Sequence, residues 1–136
     1  RDPTTMSEIY NNNEYYSKNQ NWHQEDSEYK SRLIIKLLRR NKIKFTKVVD
    51  CGCGAGKLTR ILADKFPDKK FTGIDISEDA KKFWAENKAE NVDFKSSAEE
   101  EYDLAICLDV IEHVDDYIGF TRDLTRYAKK VIFNVE

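Results

Sequence analysis

The chain has 136 residues, 40% hydrophobic and 35% charged, with a formal net charge of −2. That is enough chain for one domain with a real core, with no basic surplus of the kind that marks a nucleic-acid binder and no apolar run near the ~20 residues that would span a bilayer. Three cysteines (Cys51, Cys53, Cys107) and two histidines are too few for a disulfide framework or a zinc site; reduced side chains in a cytoplasmic setting are expected.

Residues 1–5 precede Met6 and read as an artificial extension of the natural start. Residues 6–26 are polar but carry Tyr10, Tyr15, Tyr16 and Trp22. The segment reads as a loose arm with a short helix; its aromatic density argues against pure disorder, and the aromatics either cover the core or fold over a pocket. Asp26 and Ser27 are N-cap candidates for a helix running to about Arg40, with Leu33, Ile34, Leu37 and Leu38 as its apolar stripe and Arg39 and Arg40 at its C-terminal end. Residues 1–45 are therefore assigned to a helical arm and residues 46–136 to the core domain.

From residue 47 on, strand and helix patterns alternate. A first strand spans 47–50 and a helix about 56–66, stopped by Pro67. A second strand spans 70–75. Ser77 then caps a helix to about Glu86 that buries Ala80, Phe83 and Trp84. A third strand spans 92–95 and a fourth 102–108. A helix over about 117–127 carries Ile118, Leu124 and Tyr127, and a fifth strand spans 130–135. The alternation predicts an α/β fold: a Rossmann-like, doubly wound, mostly parallel sheet of about five strands flanked by helices. A ligand should sit at the carboxyl ends of the strands, near the first.

Between the first strand and its helix lies Asp50-Cys51-Gly52-Cys53-Gly54-Ala55-Gly56-Lys57. The glycines permit positive φ and close approach of backbone to a ligand, and the helix start offers free N–H groups. A dinucleotide fingerprint needs glycine where Lys57 stands. A Walker A loop needs glycine at Cys51 and a hydroxyl residue at Leu58. Both templates fail. Asp75, at the end of the second strand, is placed to accept hydrogen bonds from the two hydroxyls of a ribose.

The D-x-G-x-G-x-G loop, Gly73-Ile74-Asp75-Ile76-Ser77 and Asp109-Val110-Ile111-Glu112-His113-Val114 occur in an order that resembles the class I S-adenosylmethionine (SAM)-dependent methyltransferases, specifically the ubiquinone-biosynthesis-like small-molecule type. The resemblance covers about residues 47–135. It implies a methyltransferase that binds SAM and releases S-adenosylhomocysteine (SAH). Asp50, Gly52, Cys53, Gly54 and Gly56 would hold the methionine end, Asp50 facing its ammonium. Asp75 and Ile76 would hold the ribose. Ser97 and Ala98 would border the adenine, although Ser97 stands where the family often has Asp. Cys107 or Leu108 would line the methionine arm. The aromatic density of the N-terminal segment further suggests that Tyr15, Tyr16, Trp22 and His23 close over the cofactor.

No catalytic side chain is obligatory for this reaction. His113 is a candidate general base, with a role in packing or capping the next helix the stronger reading. Asp109, Glu112 and His113 also resemble the E-x-x-E-H metal ligands of certain small-RNA and ubiquinone O-methyltransferases, but Asp109 replaces Glu and no further histidine follows; no metal is assigned. The acceptor is expected to be a small molecule, with a SAM-binding domain lacking activity of its own, or a metal-assisted RNA or small-molecule O-methyltransferase, as alternatives. Relative to the family sheet the usual last two strands are missing, which suggests truncation, and a homodimer through the open sheet edge is expected.

Overall fold

The computed structural model describes the backbone of residues 13–98, 100–108, 123 and 126–133, and within these ranges the side chains from Asp26 onward, Phe133 excepted. The elements in chain order are α1 (Asn13–Arg40), β1 (Lys47–Cys51), α2 (Lys57–Lys65), β2 (Lys70–Ile74), α3 (Glu78–Lys81), α4 (Trp84–Asn87), β3 (Val92–Lys95), β4 (Tyr102–Cys107) and β5 (Ala128–Phe133). The five described strands form one parallel sheet in the order β3-β2-β1-β4-β5. β1 lies at the centre, and the chain switches direction of travel across the sheet beside it, as the alternation predicts.

Side chains alternate across a strand, and β1 feeds both faces. Val48 joins Ile34, Leu38, Leu62, Phe71, Leu104 and Ile106 in a core under α1 and α2. Val49 and Cys51 join Ile74, Ala105, Cys107 and Ala128 on the opposite face. Asp50 has the parity of Val48 and so points to the α1/α2 side. Ile34, Leu62, Leu104 and Ile106 are essentially sealed from solvent, and each contributes about 2 kcal/mol by burial.

Two polar clasps lie at the amino ends of the strands. Asp103 Oδ2 accepts hydrogen bonds from the Thr46 and Lys47 amides at 2.8 and 2.9 Å, and these bonds hold its carboxyl below the usual range. Asn91 Nδ2 donates to the carbonyls of Ala63, Phe66 and Lys69 at 3.1, 3.2 and 3.0 Å. It thereby satisfies the C-terminal end of α2 and the turn into β2. Asn91→Ala leaves those half-buried carbonyls short of a donor and is expected to cost about 2 kcal/mol, read as a lower urea midpoint with an unchanged m-value.

Four expectations need correction. The first helix does not start at Asp26 or Ser27: α1 is already helical from Asn13. Ser27 is buried in its interior, and Asp26 forms an i,i+4 ion pair with Lys30 at 2.9 Å. The helix after Ser77 keeps its cap, Ser77 Oγ accepting from the Ala80 amide at 3.3 Å, but breaks into α3 and α4. Phe83 and Trp84 are therefore half-buried rather than core. Tyr127 lies in a turn and is 38% exposed, and β5 starts two residues earlier than expected. The remainder of the predicted 117–127 helix, apart from Asp123 and Arg126, lies outside the described residues.

Candidate cofactor site

β1 runs directly into the glycine loop. The Gly52 and Cys53 amides both donate to the Ile74 carbonyl, at 2.8 and 3.0 Å, so the loop starts anchored to the end of β2. Gly54 and Gly56 then take φ of +57° and +92°, a left-handed backbone that a side chain resists. Gly56 is the N-cap of α2. A Cβ there would stand 2.5 Å from the Phe94 ring, and one on Gly73 would stand 2.7 Å from that ring and 2.8 Å from Cys53 Sγ. The loop, β2 and β3 close on Phe94 because these two positions lack side chains.

Two carboxylates meet this loop, one from each of two adjacent strands. Asp50 is buried and accepts a hydrogen bond from Thr59 Oγ1 of α2 at 2.7 Å. Burial pushes its carboxyl up to about 7; the Thr59 bond opposes this, the charge of Asp75 adds to it, and the charge of Lys30 in α1 opposes it. Asp75 is fully buried. Its Oδ2 accepts from the Gly54 amide at 2.8 Å and its Oδ1 from the Ser77 amide at 2.9 Å. Burial again raises its carboxyl, against the bonds from Ser77, Gly54 and Ile76 and the charge of Lys81. Negative charge in this corner is thus undercompensated by protein groups.

Two of the thiols, Cys53 and Cys107, are held in the neutral form. Burial and the charges of Asp50 and Asp75 push Cys53 well up, and a hydrogen bond with Cys51 together with burial does the same to Cys107.

The remaining candidates are spread around this centre. Ile76 is half-buried between Asp75 and Ser77; Ser97 is exposed. Ala98 packs against the core beneath β1 and β4, while Leu108 is buried in the α1/α2 core. Asp109, Glu112 and His113 lie outside the described residues, as do the side chains of Tyr15, Tyr16, Trp22 and His23. Among the described residues no group of three His, Cys, Asp or Glu could hold a metal ion, and no helix is long and apolar enough to cross a membrane.

Four residues in contact with the loop or with Asp50 carried no sequence signal of their own: Thr59, Trp84, Asn87 and Phe94. Trp84 Nε1 donates to the Gly54 carbonyl and Asn87 Nδ2 to the Ala55 carbonyl, both at 2.9 Å. A separate cleft of about 620 Å³, lined by Arg32, Ile35, Lys36, Arg39, Arg40 and Lys65, lies toward the C-terminal ends of α1 and α2. Those ends lead into the amino ends of β1 and β2, so this cleft is remote from the glycine loop.

Comparison with known proteins agrees with this geometry. A family model described as a methyltransferase domain matches residues 21–134. The ubiquinone biosynthesis O-methyltransferase of Methylococcus capsulatus is 32% identical over 125 residues, which covers 79% of this chain and 52% of that protein. The malonyl-[acyl-carrier protein] O-methyltransferase of Acetivibrio thermocellus is 30% identical over 89 residues, 60% of this chain and 31% of that protein. The chain thus spans about half the length, or less, of these curated relatives. Among solved structures, the plantazolicin methyltransferase BpumL in complex with SAH superposes with a TM-score of 0.69 at 18% identity, over 92% of this chain and 53% of that one. Coclaurine N-methyltransferase bound to N-methylheliamine and SAH gives 0.64 at 24% identity, over 76% and 35%. The parallel five-stranded sheet, the glycine loop after its central strand and the family match over most of the chain together establish that this chain belongs to the methyltransferase-domain family.

Proposed function

We propose that the chain binds S-adenosylmethionine at the carboxyl ends of β1 and β2 and belongs to an enzyme that transfers its methyl group to a small-molecule acceptor. The observation that carries this reading is the pair of buried, undercompensated carboxylates, Asp50 and Asp75, on either side of a loop whose glycines let backbone come close. A ligand that brings an ammonium, a sulfonium and two vicinal hydroxyls suits that corner; a phosphate would meet two carboxylates and be repelled. The relatives' O-methyltransferase names support the reaction class and a small acceptor.

When bound, the cofactor supplies an electrophilic methyl group on a positively charged sulfur. The chain's own part is positioning. Asp50 orients the ammonium end and is drawn to its ionised form by that cation. Asp75 accepts from the ribose hydroxyls. Two of its roughly four lone-pair positions are taken by the Gly54 and Ser77 amides, and the ribose hydroxyls would use the others. Ala98, packed on the core, borders the adenine, with Ser97 at its edge.

The test is calorimetric titration of the full-length protein with SAH, SAM and NAD. SAH and SAM should bind and NAD should not. Asp75→Ala should weaken SAH by at least about 100-fold, the lower end of the worth of two hydrogen bonds to a charged acceptor. Binding of NAD in preference to SAH, or unchanged SAH affinity in Asp75→Ala, would sink the assignment.

A further inference from the structure

We propose that Trp84 and Asn87 are positioning residues that set the conformation of the glycine loop through its carbonyl groups, and that cofactor affinity depends on them. This rests on the cofactor assignment above. A loop with glycine at 52, 54 and 56, all at positive φ, has more conformations open to it than other sequences. Backbone bonds from Gly52 and Cys53 to Ile74 and from Gly56 to Cys53 fix its start and its end, and side chains grip the Gly54-Ala55 stretch between them. On the N–H side, Gly54 is held by Asp75, the group that a ribose would also use. On the carbonyl side, Gly54 and Ala55 are held by Trp84 Nε1 and Asn87 Nδ2, which no ligand hydroxyl need displace. The carbonyl grip therefore holds the loop through groups that the cofactor does not need as its own partners.

The grip is itself braced. The Trp84 indole stacks on Phe94, with ring centroids 5.2 Å apart and planes 17° from parallel, and Phe94 fills the space that side chains at positions 56 and 73 would occupy. Asn87 is buried and also donates to the Phe83 carbonyl at 3.4 Å. The chain breaks between α3 and α4 with no proline or glycine there, and α4 holds residues 84 and 87 one turn apart. There, positions i and i+3 share a face, and both donors reach successive carbonyls of one loop.

Two conservative variants of the full-length protein test this. Trp84→Phe keeps an aromatic ring to stack on Phe94 and removes the N–H. Asn87→Asp keeps the shape and turns a donor into an acceptor facing the Ala55 carbonyl. Each is measured by amide hydrogen exchange over residues 52–57 without ligand and by SAH titration. Faster loop exchange together with about ten-fold weaker SAH binding is expected in both, with exchange in β1 and β4 unchanged. Loop exchange at the wild-type rate in both variants would overturn the proposal, as would faster exchange with wild-type SAH affinity. If the wild-type protein itself fails to bind SAH, the cofactor assignment falls; faster loop exchange in the two variants would then uphold the grip and unaltered exchange would overturn it, so the two failures are distinguishable.

Discussion

Gly56→Ala is expected to destabilise the domain by about 3 kcal/mol. Part of this is the backbone: at φ +92° an L-residue costs about 1–2 kcal/mol. The rest is steric. The new methyl would stand 2.5 Å from Cε1 and Cζ of Phe94, and that ring is held by its stack on Trp84. Overpacking of this kind costs about 1–3 kcal/mol. Urea unfolding measures the total, and the double variant Gly56→Ala/Phe94→Leu separates the parts: it should recover the steric share relative to Phe94→Leu alone and leave the backbone share. A loss under about 1 kcal/mol in the single variant would mean that Phe94 yields readily, and that the glycine is not required for fit.

The second large effect is on pH. The carboxyl of Asp50 is pushed from an ordinary 3.8 to about 7 in the folded protein. Between these values the folded state keeps a proton that the unfolded chain has released, so stability falls as pH rises from about 4 to about 7 and is level beyond. Asp50 alone contributes a loss of about 4 kcal/mol across that window. The raised carboxyl of Asp75 acts in the same direction. The Asp103 carboxyl is lowered and acts oppositely, but it sits near the surface where solvent screens it. Asp50→Asn should flatten most of the slope in a urea titration series run from pH 4 to 8; an unchanged slope would show that Asp50 is ionised throughout. Binding of a cation beside Asp50 then releases a proton below about pH 7. SAH titrations at pH 6 in buffers of differing ionisation heat should detect it.

The strands were readable because each is a short segment with apolar residues bounded by turn residues, and their alternation with helices implied a parallel, doubly wound sheet; the order β3-β2-β1-β4-β5 came from the fold. Asp50, Asp75 and the three glycines were readable for the same reason: they sit at fixed offsets from strand ends. What escaped has partners far along the chain. Trp84 meets Gly54 and Asn87 meets Ala55 across some thirty residues, and neither contact leaves a local pattern. The apolar pattern at Ala80, Phe83 and Trp84 suggested one continuous helix. The tertiary hydrogen bonds of Trp84 and Asn87 accompany a break that propensity alone does not show. α1 shows the reverse. Asp26 and Ser27 are good capping residues, yet the helix runs through them, with Asp26 engaged by Lys30, so capping residue types inside a long helix carry the same local signal as a helix start. Thr59 looked like an ordinary helical residue, and only the fold shows that its hydroxyl faces the buried carboxylate of Asp50.

The clasp of Asp103 on the Thr46 and Lys47 amides reaches further than its own neighbourhood. A strand works as a ruler of about 3.3 Å per residue, and Asp50 stands three graduations along from Lys47. Slipping β1 by one mark would exchange the faces of Val49 and Asp50 and turn the carboxylate away from Thr59. Together with the ladders to β2 and β4, this clasp therefore helps to set the phase of the Asp50 end from the other end of β1, about 10 Å along the strand. Sequence variation intended to retune the proposed cofactor site can range over the loops, but it has Asp103 as its zero mark.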